Sequence, residues 1–588
     1  MNRVSRLDLT GFRAALILAL LATLVNAIWI LLDHSTASWD QSHYLRTTLQ
    51  YQLGFEADGV VGLARAILNT DPSHGPLFTV AMLPFLSVFG ASAQSGLLLN
   101  FVLAPILYVS AGQIAWIVFR DWRARLLAIV LVATMPLMVG LYHNVLQDFL
   151  LVSMATLSIL LLLMSERFQR RGISLWAGLA MGLGTLTKVT FPLFMVGPLL
   201  VIAAQALASR LTRDREGGPA FPTDLRRLGI NLAGTAGVYL LVILPWYGPN
   251  FQETRDYVSS TTSGPLAAGA GPEDPFTFDA VTSFTTGVVN ANVTWVIALA
   301  ALIAIAFNFS RLVALFRKPA RIEPLLKLAF LAAWVAIPFL SVALAKNQDV
   351  RLMAPAMPGM AVITAGAICA IRPRGARLAL AGVTTVAMLY LTVGKITPVS
   401  PAFLPEDVSV QASSYNASIP LKEQPIGYEQ LPGDDYGTPV VEYIEELSER
   451  EGTPDVPKQI CLLQSEPVVN SNSFGFLALA REDPFAFADV LIDDQGRRGL
   501  ATTLKGCNFA LYVPQAPVDP ALRESRLAIV NEEYAARYMT PKLLRLFPGP
   551  RRGFPVAPDA EPSTDTGSGD WVIVLAQNPA GLPNQEPQ

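Results

Sequence analysis

Long apolar runs, separated by short polar clusters, carry the chain up to about residue 397. Residues 14–32 form an uncharged run about long enough to cross a bilayer as one helix. Comparable runs follow near 94–118, 126–142, 149–164, 229–245 and 288–309, then up to Ala345, between Arg351 and Arg372, and up to Lys395. Ile173 to Ala208 reads as a hairpin of two spans with Thr187 and Lys188 at its tip. Residues 34–93 are less apolar and broken by Gly and Pro, which predicts a long loop carrying surface-lying helices, 76–89 among them. Beyond 398 the composition is that of a soluble domain. Thr438 to Glu451 has a helical pattern, and Gln459 to Leu463, Phe509 to Val513 and Trp571 to Leu575 have the pattern of short buried strands. A small α/β domain over 398–577 is predicted, with a Pro-rich, disordered tail at 578–588.

Charge turns the pattern into a topology. Arg3, Arg6 and Arg13 precede the first run, which places the N-terminus in the cytoplasm by the positive-inside rule. The clusters Arg120/Arg123/Arg125, Arg167/Arg170/Arg171, Arg311/Arg317/Lys318 and Arg372/Arg374/Arg377 share that side only if 76–89 does not cross and 173–208 crosses twice. The expected fold class is therefore a mainly α polytopic membrane protein of about 11 transmembrane helices, with an extracytoplasmic C-terminal α/β domain. The first run reads as a retained span of a multi-pass cell-membrane protein and not as a signal peptide.

Composition agrees: 52% of the 588 residues are hydrophobic and only 15% charged, against about a quarter charged in soluble domains. A net charge of -3 speaks against nucleic acid as a partner. Cys369 lies within an apolar run, whereas Cys461 and Cys507 fall in the soluble part and could pair in an oxidising compartment.

The chemically able side chains gather on the predicted outer side. Asp40 follows the first span, Asp148 the third, and Lys188 caps the hairpin; Lys346 and Arg351 lie between the ninth and tenth spans. All four histidines, His34, His43, His74 and His143, fall on this side too. Bland readings stand beside these: Asp148 as an acid favoured at a helix N-terminus, Lys188 as a snorkelling lysine, Lys346 and Arg351 as loop charges. The histidines lack close metal-ligand spacing, so no metal ligands are assigned, although a divalent ion is compatible with them. Charges are nearly absent within the spans, which argues against the rival reading of a lipid or polysaccharide transporter. A non-catalytic membrane scaffold is the other alternative.

Over about 13–200 the sequence resembles the polytopic GT-C-type glycosyltransferases, in particular the protein O-mannosyltransferases and the transferases that add aminoarabinose to lipid A. The residues that carry the resemblance are Trp39-Asp40-Gln41-Ser42-His43-Tyr44, Ser73-His74-Gly75-Pro76-Leu77-Phe78 leading to Val88-Phe89-Gly90, Leu146-Gln147-Asp148-Phe149-Leu150, and Leu186-Thr187-Lys188. The resemblance implies an inverting transfer of a sugar from a polyprenyl-phosphate donor to a glycan, lipid or protein acceptor at the outer membrane surface. In that reading Asp40 is the general base, with Asp148 a second catalytic acid. Lys188, Lys346 and Arg351 bind the donor phosphate, and His43, Tyr44, His74 and His143 contact substrate. Two departures stand out: Gln41 where many members have Glu, and His74 where the aminoarabinose transferases have lysine.

Overall fold

The computed structural model describes residues 9–32, 36–211, 224–264, 267, 271–272, 274–317 and 322–396. In the C-terminal part it describes 409–412, 417–420, 435, 437–452, 456–462, 470–489, 507–512, 542–548 and 572–577. His34 and the predicted tail 578–588 lie outside the described residues.

The apolar runs become helices. α1 (Leu9–Leu32) precedes α2 (Trp39–Asn69) and α3 (Leu77–Phe89); then come α4 (Ala93–Phe119), α5 (Trp122–Thr134), α6 (Pro136–Tyr142), α7 (Gln147–Met164), α8 (Arg171–Thr187), α9 (Phe191–Leu211) and α10 (Leu225–Tyr247). α11 (Phe251–Thr262) and α12 (Phe278–Gly287) occupy the following loop, before a π-helical turn at Val288–Val293, α13 (Thr294–Arg317) and α14 (Ile322–Ala343). A 3-10 segment, Val350–Ala356, leads into α15 (Met357–Cys369), and α16 (Arg374–Ile396) ends the helical part.

Among the described residues, 8 helical stretches are long and apolar enough to cross a membrane, or 9 if α5 and α6, bent by 62°, are one span. The bend falls where Met135 leaves the helical region and Pro136 opens the next helix, since proline has no N–H to continue the ladder. The expectation of about eleven is reached only by adding α8, 17 residues long, and α9, apolar over Phe191–Leu207. α3 is likewise a short apolar helix and not a full span. The predicted eighth span is interrupted at its start, with regular helix beginning at Thr294 after the π turn.

Position in the bundle follows from burial. α7 and α15 are mostly enclosed, whereas α1, α10 and α16 turn most of their apolar side chains outward, where hydrocarbon solvates them without cost. Close helix contact uses small residues: a Cβ on Gly178 of α8 would lie 2.4 Å from the Thr235 carbonyl oxygen of α10. The Thr235 hydroxyl donates back to the Ser174 carbonyl at 2.9 Å.

Among the described residues the C-terminal part holds helices α17 (Thr438–Arg450) and α18 (Ser471–Ala480) and seven strands: β1 (Ser409–Ala412), β2 (Ala417–Pro420), β3 (Lys458–Leu462), β4 (Phe485–Asp489), β5 (Phe509–Tyr512), β6 (Lys542–Pro548) and β7 (Val572–Gln577). The first two form a hairpin; the other five form one sheet in the order β4-β3-β5-β7-β6. Its first three strands are parallel, and β7 and β6 join antiparallel. Val440 and Ile444 of α17 and Phe474 of α18 pack on Ile460, Leu462, Phe509 and Leu511. Cys461 and Cys507 form a disulfide, with Cα atoms 5.8 Å apart.

Candidate active site

The site is built around the first turn of α2. Ser38 takes an extended conformation as the residue before the helix, and its carbonyl accepts from the Ser42 N–H at 2.8 Å. Gln41 ties this turn to the corner between α6 and α7: its amide donates to Asn144 Oδ1 at 2.8 Å, and its carbonyl accepts from the Val145 N–H at 3.0 Å. That two-way latch needs an amide, because a carboxylate could accept but not donate. Asn100 of α4 supports the same corner by donating to the carbonyl oxygens of Tyr142 and Asn144.

With α2 so placed, the Asp40 carboxylate, half exposed, meets Arg351 Nη1 at 3.2 Å. Arg351 is aimed by the start of the 3-10 segment: Asp349 accepts from the Arg351 backbone N–H at 2.8 Å and lies 3.6 Å from its Nε. Asn292, in the π-helical turn, donates to the Val350 carbonyl at 2.8 Å and so links that segment to α12 and α13. Beside this pair, Lys188 Nζ contacts Asp148 Oδ1 at 2.9 Å, with both side chains largely buried. Arg351 also acts electrostatically on Asp148, which joins the two ion pairs into one group. Tyr44 stands among them: burial, then the charges of Asp40 and Asp148, push its phenol well above the usual tyrosine range.

A second group adjoins the first. Asp71, between α2 and α3, receives His43 Nε2 at 2.9 Å and His74 Nδ1 at 3.0 Å. Burial alone would push the Asp71 carboxyl up. The hydrogen bonds and charges of the two imidazoles outweigh it and hold the carboxyl well below the usual carboxylate range. The His74 ring packs on Tyr257 of α11, with centroids 4.6 Å apart, and Gly75 lets this loop lie against the end of α8, where a Cβ would fall 2.1 Å from the Leu186 carbonyl oxygen. One donor atom each of His43, Asp71 and His74 lies within 4.8 Å of the other two. Two imidazoles and a carboxylate are a donor set that zinc accepts. The residues fit such an ion in kind and spacing.

Of the residues singled out from the sequence, Asp40, Tyr44, Asp148, Lys188 and Arg351 come together, with His43 and His74 next to them. His143 is buried, 2% exposed, in the corner after α6. Lys346 is exposed on the loop before Asp349, and among the described residues no hydrogen bond or ion pair ties its side chain to the group. Sequence reading passed over Asp71, Tyr257, Asp349 and Asn292. Only Asp71 left a trace, as an acid three residues before a histidine already marked.

The fold is that of the GT-C-type glycosyltransferases, a class of polytopic membrane enzymes. ArnT from Cupriavidus metallidurans bound to undecaprenyl phosphate superimposes with a TM-score of 0.53 at 13% identity, over 97% of this chain and 99% of that one. The archaeal oligosaccharyltransferase AglB from Archaeoglobus fulgidus, in complex with an inhibitory peptide and a dolichol-phosphate, gives 0.52 at 11% identity, over 90% of this chain and 72% of that one. Residues 73–215 match the family described as dolichyl-phosphate-mannose-protein mannosyltransferase, a segment that includes His74, Asp148 and Lys188. No curated protein matches in sequence.

Proposed function

We propose that the protein transfers a sugar from a polyprenyl-phosphate donor to a hydroxyl of a glycan, lipid or protein acceptor at the extracytoplasmic surface of the membrane, with Asp40 as general base. The observation that carries this reading is the meeting of Asp40 with Arg351, 311 residues away in the chain, beside the buried Asp148–Lys188 pair. An acceptor hydroxyl is a weak nucleophile, so a carboxylate must take its proton as the glycosidic bond forms. Asp40 is half exposed and can reach an incoming acceptor. As the bond from anomeric carbon to phosphate oxygen breaks, the leaving phosphate gathers charge, which fixed cations stabilise. Lys188 spends one of its three N–H donors on Asp148 and keeps others for a phosphate; Arg351 offers a planar fork suited to the same oxygens. Attack from the face opposite the phosphate inverts the anomeric centre. His43, Tyr44 and His74 line the approach, and Lys346 is a candidate for the outer phosphate oxygens.

The sidedness of the arginine clusters supports an outward-facing site, as does the disulfide, a bond typical of oxidising compartments. ArnT was captured with undecaprenyl phosphate and AglB with a dolichol-phosphate, which supports a polyprenyl-phosphate donor here. The test is Asp40→Asn in purified protein, assayed with a panel of polyprenyl-phosphate sugars. Transfer is expected to fall by about 100-fold or more while undecaprenyl phosphate still binds. Full turnover in that variant would remove the mechanism.

A further inference from the structure

Resting on the reading of Asp40 as the base, we propose that the C-terminal domain acts as a clamp that sets the position of Asp40, by holding the backbone of Thr36 and Ala37 directly in front of α2. The Ala37 carbonyl accepts two hydrogen bonds, one from the Ser473 hydroxyl of α18 at 2.8 Å and one from the Ser42 hydroxyl of α2 at 2.7 Å. All three residues are buried. One oxygen thus joins the soluble domain to the first turn of α2. Thr36 makes the second tie: its hydroxyl donates to Asp435 Oδ1 at 3.0 Å and accepts from the Gly437 N–H at 3.1 Å. Gly437 allows the approach, since a Cβ there would lie 2.6 Å from the Leu477 side chain and 3.0 Å from that of Thr36.

α18 belongs to two cores at once. Phe474 and Ala478 pack in the core of the soluble domain, and Phe476 packs in that of the helical bundle. A domain merely tethered at the surface would have no reason to bury a phenylalanine in the core of the helical part. Nor would it hydrogen-bond the backbone three residues before the candidate base. Asp40 itself is half exposed and meets the rest of the site through Arg351, so the placement of its helix turn decides where its carboxylate points. Ser473 and Thr36 are positioning residues in this scheme, because they touch neither donor nor acceptor.

A displacement of about 1 Å at a reacting group costs up to about 100-fold in rate, so loosening this clamp should act on turnover and leave donor binding alone. The experiment uses full-length protein in lipid nanodiscs and three variants, Ser473→Ala, Thr36→Val and Ser473→Thr. The readouts are the rate of carbodiimide labelling of Asp40, followed by mass spectrometry, and hydrogen exchange across 36–46. Ser473→Ala and Thr36→Val should each raise labelling and exchange several-fold, with affinity for undecaprenyl phosphate unchanged, and Ser473→Thr should restore both. Wild-type labelling and exchange in the first two variants overturns the clamp. Should Ser473→Ala unfold the soluble domain, Thr36→Val, placed on the helical side of the contact, decides alone. Raised labelling with undiminished transfer from the polyprenyl-phosphate sugar of the panel that the wild-type protein uses would uphold the clamp and sink Asp40 as the base, which separates the two claims.

Discussion

Lys188 and Asp148 show how much the meaning of a single side chain depends on its partner. Each had a bland reading in the sequence, as an interface lysine and a helix-start acid, and the structure buries them against each other at 2.9 Å. Removing one partner strands a buried charge, at a cost of about 3–5 kcal/mol. Lys188→Met should therefore lower the unfolding temperature sharply, and adding Asp148→Leu should recover most of it. Transfer should stay abolished in both, as read by thermal unfolding and product formation; a double variant no more stable than the single would rule out the pair. Asp483, after α18, offers a pH test. Burial, reinforced by Glu445 and opposed by Arg481, raises its carboxyl to about 6, against about 3.9 for a free carboxylate. The folded state then holds this proton more tightly than the unfolded state. The stability it contributes is full below pH ~4, falls as pH rises to about 6, and stays low above. Asp483→Asn should flatten that slope and raise the melting temperature of the C-terminal α/β region at pH 7 but hardly at pH 4.

At the scale of elements, hydrophobic runs sufficed for existence and order but not for the irregular joints. The π-helical turn Val288–Val293 lies at the start of a run whose composition looks continuous, and the 3-10 segment Val350–Ala356 straddles the start of another at Arg351. The two are joined by a contact that the composition does not announce, the Asn292 side chain on the Val350 carbonyl. Asn292→Ala leaves that buried carbonyl without its donor, a loss of about 1–3 kcal/mol, and frees the segment that aims Arg351. Turnover should fall more than donor affinity, measured as kcat against the Kd for undecaprenyl phosphate. The same reasoning covers what periodicity missed in the C-terminal part. β4 and α18 are short; β4 pairs with β3, 27 residues earlier (Phe485 on Lys458), and α18 bonds Ala37, just before α2 and 436 residues from Ser473, so their stability is tertiary. α11 and α12 are polar enough to pass for loop.

At the scale of the whole molecule, covalent closure can be tested directly. The Cys461–Cys507 bridge spans 46 residues and ties β3 to the segment just before β5, so Cys461→Ser should destabilise the C-terminal α/β region by about 2–4 kcal/mol. Treating wild-type protein with a reductant should shift its melting curve by the same amount, and no shift under either condition would show the bond to be dispensable. What the sequence by itself determined is the membrane class, the order of the apolar helices and which charges could share a surface. Those depend on local hydrophobicity and on arginine counts, which act residue by residue along the chain. Only the tertiary structure decided that Asp40 meets Arg351, that Asp71 gathers two histidines, and that the C-terminal α/β region reaches back to Ala37. Apart from Asp71 and His74, which are three residues apart, each is a contact of one or two hydrogen bonds between segments whose separation in sequence leaves no periodic trace, and it exists because the packed helices bring those segments to one place.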